Sequence, residues 1–69
     1  MASFINEFQY TINTGTTYIF RGYIYNDSLS KIQVLNTEYL PISDEEQNSY
    51  ILSPDEANDI YNGIMKRCI

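Results

Sequence analysis

Leu52-Ser53-Pro54-Asp55-Glu56-Ala57-Asn58-Asp59-Ile60-Tyr61-Asn62-Gly63-Ile64-Met65-Lys66-Arg67-Cys68 is the stretch that decides the fold. Ser53 is a capping serine. Pro54 takes the first helical position, where a missing N–H leaves nothing unpaired, and Glu56 completes a capping box. Leu52 and Ala57 have the spacing of a hydrophobic staple around that cap. Ala57, Ile60, Tyr61, Ile64, Met65 and Cys68 then recur at i, i+3 and i+4, which predicts a helix over 54–67 with one apolar face. Asp55, Glu56 and Asp59 stand near the positive end of its dipole, Lys66 and Arg67 near the negative end. Gly63 is the one weak helix former in the run.

Such a helix needs a surface to cover, and the N-terminal half supplies one. Over 4–13, Phe4, Phe8, Tyr10 and Ile12 alternate with Glu7, Gln9, Thr11 and Asn13, the period of a half-buried strand. Asn13-Thr14-Gly15-Thr16 reads as a turn in which Gly15 takes a positive φ. Residues 17–25 are apolar on both faces, with Tyr18, Phe20 and Ile24 on one and Ile19, Arg21, Tyr23 and Tyr25 on the other. That pattern predicts a central strand, or one whose second face meets a partner.

A turn is expected over 26–30 and a third strand over 31–36, with Ile32 and Val34 facing inward. Residues 38–42 either continue that strand or form a fourth, interrupted by Pro41, which suits only an edge or a bulge. Residues 43–49 read as an acidic loop. The expected architecture is α+β: one domain, an antiparallel meander of three to four strands with a C-terminal amphipathic helix packed on one face.

Size and composition narrow the function. A chain of 69 residues buries little core, so self-association or a partner is expected to add to its stability. Cys68 is the single cysteine, which argues against a secreted, disulfide-stapled module. Met1-Ala2-Ser3-Phe4 lacks the basic and apolar regions of a signal peptide. No apolar run approaches the ~18–20 residues that span a membrane. A soluble, cytoplasmic protein is expected.

Catalytic equipment is sparse. The chain contains no histidine, so neither a serine nor a cysteine can be paired with one. Cys68, one turn beyond Met65, reads as a small core hydrophobe rather than a nucleophile. Glu45 and Glu46 form a carboxylate pair, but in a solvated loop with no cleft to shift their pKa values. Zinc would want cysteines and histidines, and the ligand spacing and central glycine of a calcium loop are missing. Gly15, Gly22 and Gly63 are isolated, so no phosphate cradle is present. The expectation is a protein that is not an enzyme and that uses no metal or cofactor.

Charge is the more informative signal. Nine acids face four bases, a net of −5. Residues 1–35 balance, whereas 36–65 hold Glu38, Asp44, Glu45, Glu46, Asp55, Glu56 and Asp59 with no base. Solubility and helix capping account for such charges as readily as docking does. Direct nucleic-acid binding is disfavoured, because phosphates are met by Lys and Arg. Duplex mimicry is disfavoured too, since a globule of this size spans DNA carrying about 16 charges. As a docking surface, Asp44, Glu45, Glu46, Asp55, Glu56 and Asp59 suit a protein partner with a basic face.

Seven tyrosines form a second signal, because tyrosine brings contact area with few rotatable bonds. Ile19, Arg21, Tyr23 and Tyr25, on the strand face that one helix cannot also cover, have the composition of an interaction patch. The function expected is that of a small acidic binding module that inhibits or regulates a larger, partly basic protein. In size and charge it is analogous to inhibitors encoded by phages and mobile elements, anti-CRISPR and other anti-defence proteins among them. The alternative is an accessory subunit acting through homodimerisation or assembly.

Overall fold

The computed structural model describes residues 3–66. β1 (Ser3–Thr11) and β2 (Thr17–Tyr25) pair antiparallel from Ser3 opposite Tyr25 to Thr11 opposite Thr17. Their connection closes through an Ile12 N–H donated to Thr16 O and a Gly15 N–H donated to Ile12 O. Gly15 sits at φ 89°, the positive value the turn requires.

β3 (Ser28–Leu35) lies on the other side of β2, giving an antiparallel sheet of order β1-β2-β3. It begins three residues earlier than the expected strand over 31–36. Asn26 and Asp27 sit at φ 52° and 61°, so two left-handed residues close the hairpin and Tyr25 pairs directly with Ser28. The register then shifts between Tyr23 and Ile24, and the Ser30 hydroxyl donates to Tyr23 O at 2.9 Å beside the irregularity.

After β3 the chain reverses tightly. Asn36 N–H donates to Leu40 O, the Asn36 side-chain oxygen accepts from the N–H groups of Glu38 and Leu40, and Leu35 bridges Pro41. Pro41 therefore makes an isolated bridge at the sheet edge, and no fourth strand forms among the described residues. The expected acidic loop is also corrected: residues 44–48 form a short helix, α1 (Asp44–Asn48), with Ser43 at its N-cap.

α2 (Pro54–Lys66) is the predicted C-terminal helix, and it lies over β1 and β2. Cys68 and Arg67, expected to extend it, lie outside the described residues. Ile60 and Ile64 are buried and Met65 packs against the core, but Ala57 and Tyr61 flank the apolar stripe and remain exposed. The core beneath joins Ile12, Tyr18, Phe20, Ile24 and Val34 to Ile60 and Ile64. Each fully buried side chain of this size contributes about 1.5–3 kcal/mol.

Two glycines set how closely helix and sheet approach. A Cβ on Gly22 would stand 2.5 Å from Ile64 Cγ2, and one on Gly63 would stand 2.5 Å from the Phe8 ring. Gly63, a weak residue by helix propensity, is therefore the point where α2 rests on β1. Asn6 ties the same seam by donating its side-chain N–H to Ile64 O at 3.3 Å.

Candidate functional site

The carboxylates that the sequence places in two separate stretches converge on one end of the sheet, at the β1–β2 turn. Three of them reach residues of that hairpin. Glu46 Oε2 accepts from the Tyr18 hydroxyl at 2.6 Å, and Glu56 Oε1 accepts from the Asn13 side-chain N–H at 2.8 Å. Asp59 Oδ2 accepts from the Tyr10 hydroxyl at 3.5 Å. Tyr10 and Tyr18 are cross-strand neighbours, so α1 and the first half of α2 are held against the same end. Asp44, Glu45 and Asp55 project from the first turns of the two helices, are exposed, and form no ion pair among the described residues.

These contacts alter acidities. The Glu46 hydrogen bond, helped by burial, pushes the Tyr18 hydroxyl up to about 12. Burial, then the charge of Glu46, raises Tyr50, whose ring stacks on Tyr18 at 5.4 Å between centroids. Burial, then Asp59 and Glu56, raises Tyr10. The Ser53 backbone N–H, with Asn13 beside it, holds the Glu56 carboxyl below its ordinary value.

The two helix starts share one sequence pattern, Ser-x-x-Glu. At α2 the box closes: Glu56 N–H donates to Ser53 Oγ at 3.2 Å, and Ser53 N–H donates to Glu56 Oε1 at 3.1 Å. At α1 only the first half is made, with Glu46 N–H donating to Ser43 Oγ at 3.1 Å, because the Glu46 carboxylate is bound to Tyr18. The short helix buries none of its residues, and this bond ties it to the sheet.

The helix-free face is organised differently. Glu7 lies opposite Arg21 and accepts from its Nε at 2.8 Å and its Nη2 at 2.7 Å. That carboxylate, with the Tyr23 hydroxyl, raises the Arg21 pKa above its ordinary value. Tyr23 donates its hydroxyl to Gln33 Oε1 at 3.1 Å, and Lys31 Nζ lies 5.4 Å from the centre of its ring. Ile5 and Tyr25 are 53 % and 48 % exposed at its far end.

Ile19 does not belong to an exposed patch, contrary to the sequence reading. It pairs with Leu35 across the ladder, and the two are 3 % and 0 % exposed. The reversal after β3 brings Tyr39 to a shallow hollow that Ile5 and Ile19 also line. Nor do the two candidate surfaces merge. Tyr18, bonded to Glu46, and Tyr25 stand at opposite ends of β2, about 23 Å apart at ~3.3 Å per residue.

Sequence reasoning missed Tyr39 and Leu40, each 57 % exposed at the tip of the reversal. Tyr39 sits at φ 64°, a left-handed conformation that strains a bulky residue. Its only signal in the sequence is Asn36, whose side chain favours such turns.

Among the described residues no grouping of His, Cys, Asp and Glu is placed to hold a metal ion, and no helix is long and apolar enough to cross a membrane. What the acidic end offers is exposed carboxylates on a fixed frame, suited to ammonium and guanidinium groups. No family model matches the chain, and no curated protein or solved structure matches it either.

Proposed function

We propose that this chain is a small, non-enzymatic binding module of the cytoplasm that inhibits or regulates a larger, partly basic protein by occupying its surface. One observation carries the reading. Asp44, Glu45 and Asp55 are exposed at an end of the molecule where Glu46, Glu56 and Asp59 are also anchored, with no base anywhere in 36–65. Helix capping accounts for Glu56, whose carboxylate closes its own cap, but not for three further acids that make no ion pair among the described residues.

The mechanism is steric and electrostatic. A preorganised negative surface raises the encounter rate with a basic protein and opposes acidic competitors. The same distribution disfavours direct binding to nucleic acid or to an anionic membrane surface. In size and charge the chain is analogous to phage- and mobile-element-encoded inhibitors such as anti-CRISPR proteins, acting then in the host cytoplasm.

The test is affinity capture of the tagged chain from a lysate of its source cells, washed at low and then high salt and read by mass spectrometry. A basic partner retained at low salt and lost at high salt is expected. Capture that ignores salt, or recovers only the chain itself, would overturn the reading. A second reading, an accessory subunit that homodimerises, is favoured by Ile5 and Tyr25 on the helix-free face. It requires Tyr25→Ala to change the sedimentation of the purified chain.

A further inference from the structure

α2 covers β1 and β2, and β3 extends beyond it. Between them runs a groove lined by Ile32 and Val34 of β3, Tyr50 and Leu52 of the connection between the helices, and Ala57 and Ile60 of α2. All six are apolar or aromatic. Ile32 is 39 % exposed and Ala57 is also exposed, so the groove opens to the surface.

Among the described residues, the charges around it are of one sign. Gln47 of α1 also lines the groove, and Asp44, three residues earlier, shares its helix face. The first turns of α1 and α2 hold Asp44, Glu45, Glu46, Asp55 and Glu56 and no base. Lys66 is about 13 Å along the axis from Ala57, and Lys31 lies over Tyr23 on the opposite face of the sheet. A second copy, with a net charge of −5 and the same acidic border, would be repelled from this site.

We propose that this groove takes the apolar side chains of a partner segment in which they are flanked by Lys or Arg. The inference rests on the acidic-docking reading and adds to it where the partner's apolar contacts go. The carboxylates select and orient a basic segment, and the groove gives it a desolvated anchor of the kind that dominates interface affinity.

The experiment is a titration of the isotopically labelled full chain, followed by amide chemical shifts, with three synthetic peptides of equal length. One is an amphipathic peptide of leucine and lysine, one of lysine and serine, and one of leucine and glutamate. The leucine–lysine peptide is expected to shift Ile32, Val34, Ala57 and Ile60 together with Asp44 and Glu45. The lysine–serine peptide should move only the acidic residues, and the leucine–glutamate peptide neither set. Ala57→Lys, at an exposed helical position that tolerates lysine, should weaken the leucine–lysine peptide by about tenfold or more, equivalent to at least ~1.4 kcal/mol. Ile32→Lys provides an independent second variant.

Shifts confined to Asp44 and Glu45 with every basic peptide would overturn the groove and leave acidic docking standing. No shift with any peptide would overturn both. Equal binding of the leucine–glutamate peptide would refute the charge argument, and groove shifts that grow with chain concentration alone would assign the site to a second copy.

Discussion

The two faces of the sheet are built from alternate residues of the same three strands, yet they are held by different physics. On the helix side, Phe8, Phe20, Gly22 and Ile24 meet Ile60, Gly63 and Ile64 in close apolar contact. On the other, Glu7, Arg21, Tyr23, Lys31 and Gln33 are joined by an ion pair, a hydrogen bond and a cation–π contact at partly exposed positions. Burial of apolar area contributes far more than exposed polar pairs do. Stability should therefore reside mainly on the covered face, with the buried Ile19–Leu35 pair as the apolar exception on the other.

The largest test of that contrast is Phe20→Ala, which should cost about 3–5 kcal/mol. That is a large part of the total stability of so small a chain, and it is measurable as a fall in urea midpoint. Gly63→Ala comes next and has a diagnostic sign. Helix propensity alone would stabilise by about 1 kcal/mol, but the added Cβ meets the Phe8 ring, so a net loss of about 1–3 kcal/mol is expected. A gain in melting temperature would show that the helix does not rest on β1 as described.

Tyr18→Phe should lose about 1–2 kcal/mol near neutral pH by removing the bond to Glu46. It also carries a pH signature. The folded-state pKa of about 12 lies above the ordinary value of 10.0, so Tyr18 adds stability in full below pH 10 and loses it as pH rises from about 10 towards 12. The urea midpoint of the native chain should fall across that window more steeply than that of the phenylalanine variant. Glu56 works in the opposite sense. Its lowered pKa gives stability above its ordinary value of 4.5 that disappears as pH falls through the folded-state value. Glu56→Gln should flatten the acid limb.

The smallest stability effect is expected where recognition is assigned. Asp44→Asn, Glu45→Gln and Asp55→Asn together should leave the urea midpoint close to that of the native chain, since all three side chains are exposed and outside any ion pair among the described residues.

Much of the fold was legible because local and global signals agree. Period-two alternation identified β1, a run apolar on both faces between two turns identified β2, and the capping box at Ser53 and Glu56 identified α2. α1 carries the same Ser-x-x-Glu pattern but is five residues long, too short for periodicity to register. The early start of β3 lay in Asn26 and Asp27, whose left-handed conformations were not expected. The burial of Ile19 depends on a chain reversal sixteen to twenty residues later in sequence and could not be read from β2. Gly63 looked like a defect because its reason, Phe8, is on a distant strand.

The candidate site shows the same division. The acidic stretch was plain from composition. Which acids are engaged internally was hidden, because Tyr18, Asn13 and Tyr10 come from a hairpin far away along the chain.

The central claim is that Asp44, Glu45 and Asp55 present a docking surface rather than solubilising charge. It is tested most directly by the affinity of the captured partner for the native chain and the triple-neutralised variant, each measured across a range of salt concentrations. The account predicts tight, strongly salt-dependent binding for the native chain and weak binding with a shallow salt slope for the variant. Equal affinities and equal slopes, in two proteins of equal stability, would contradict it.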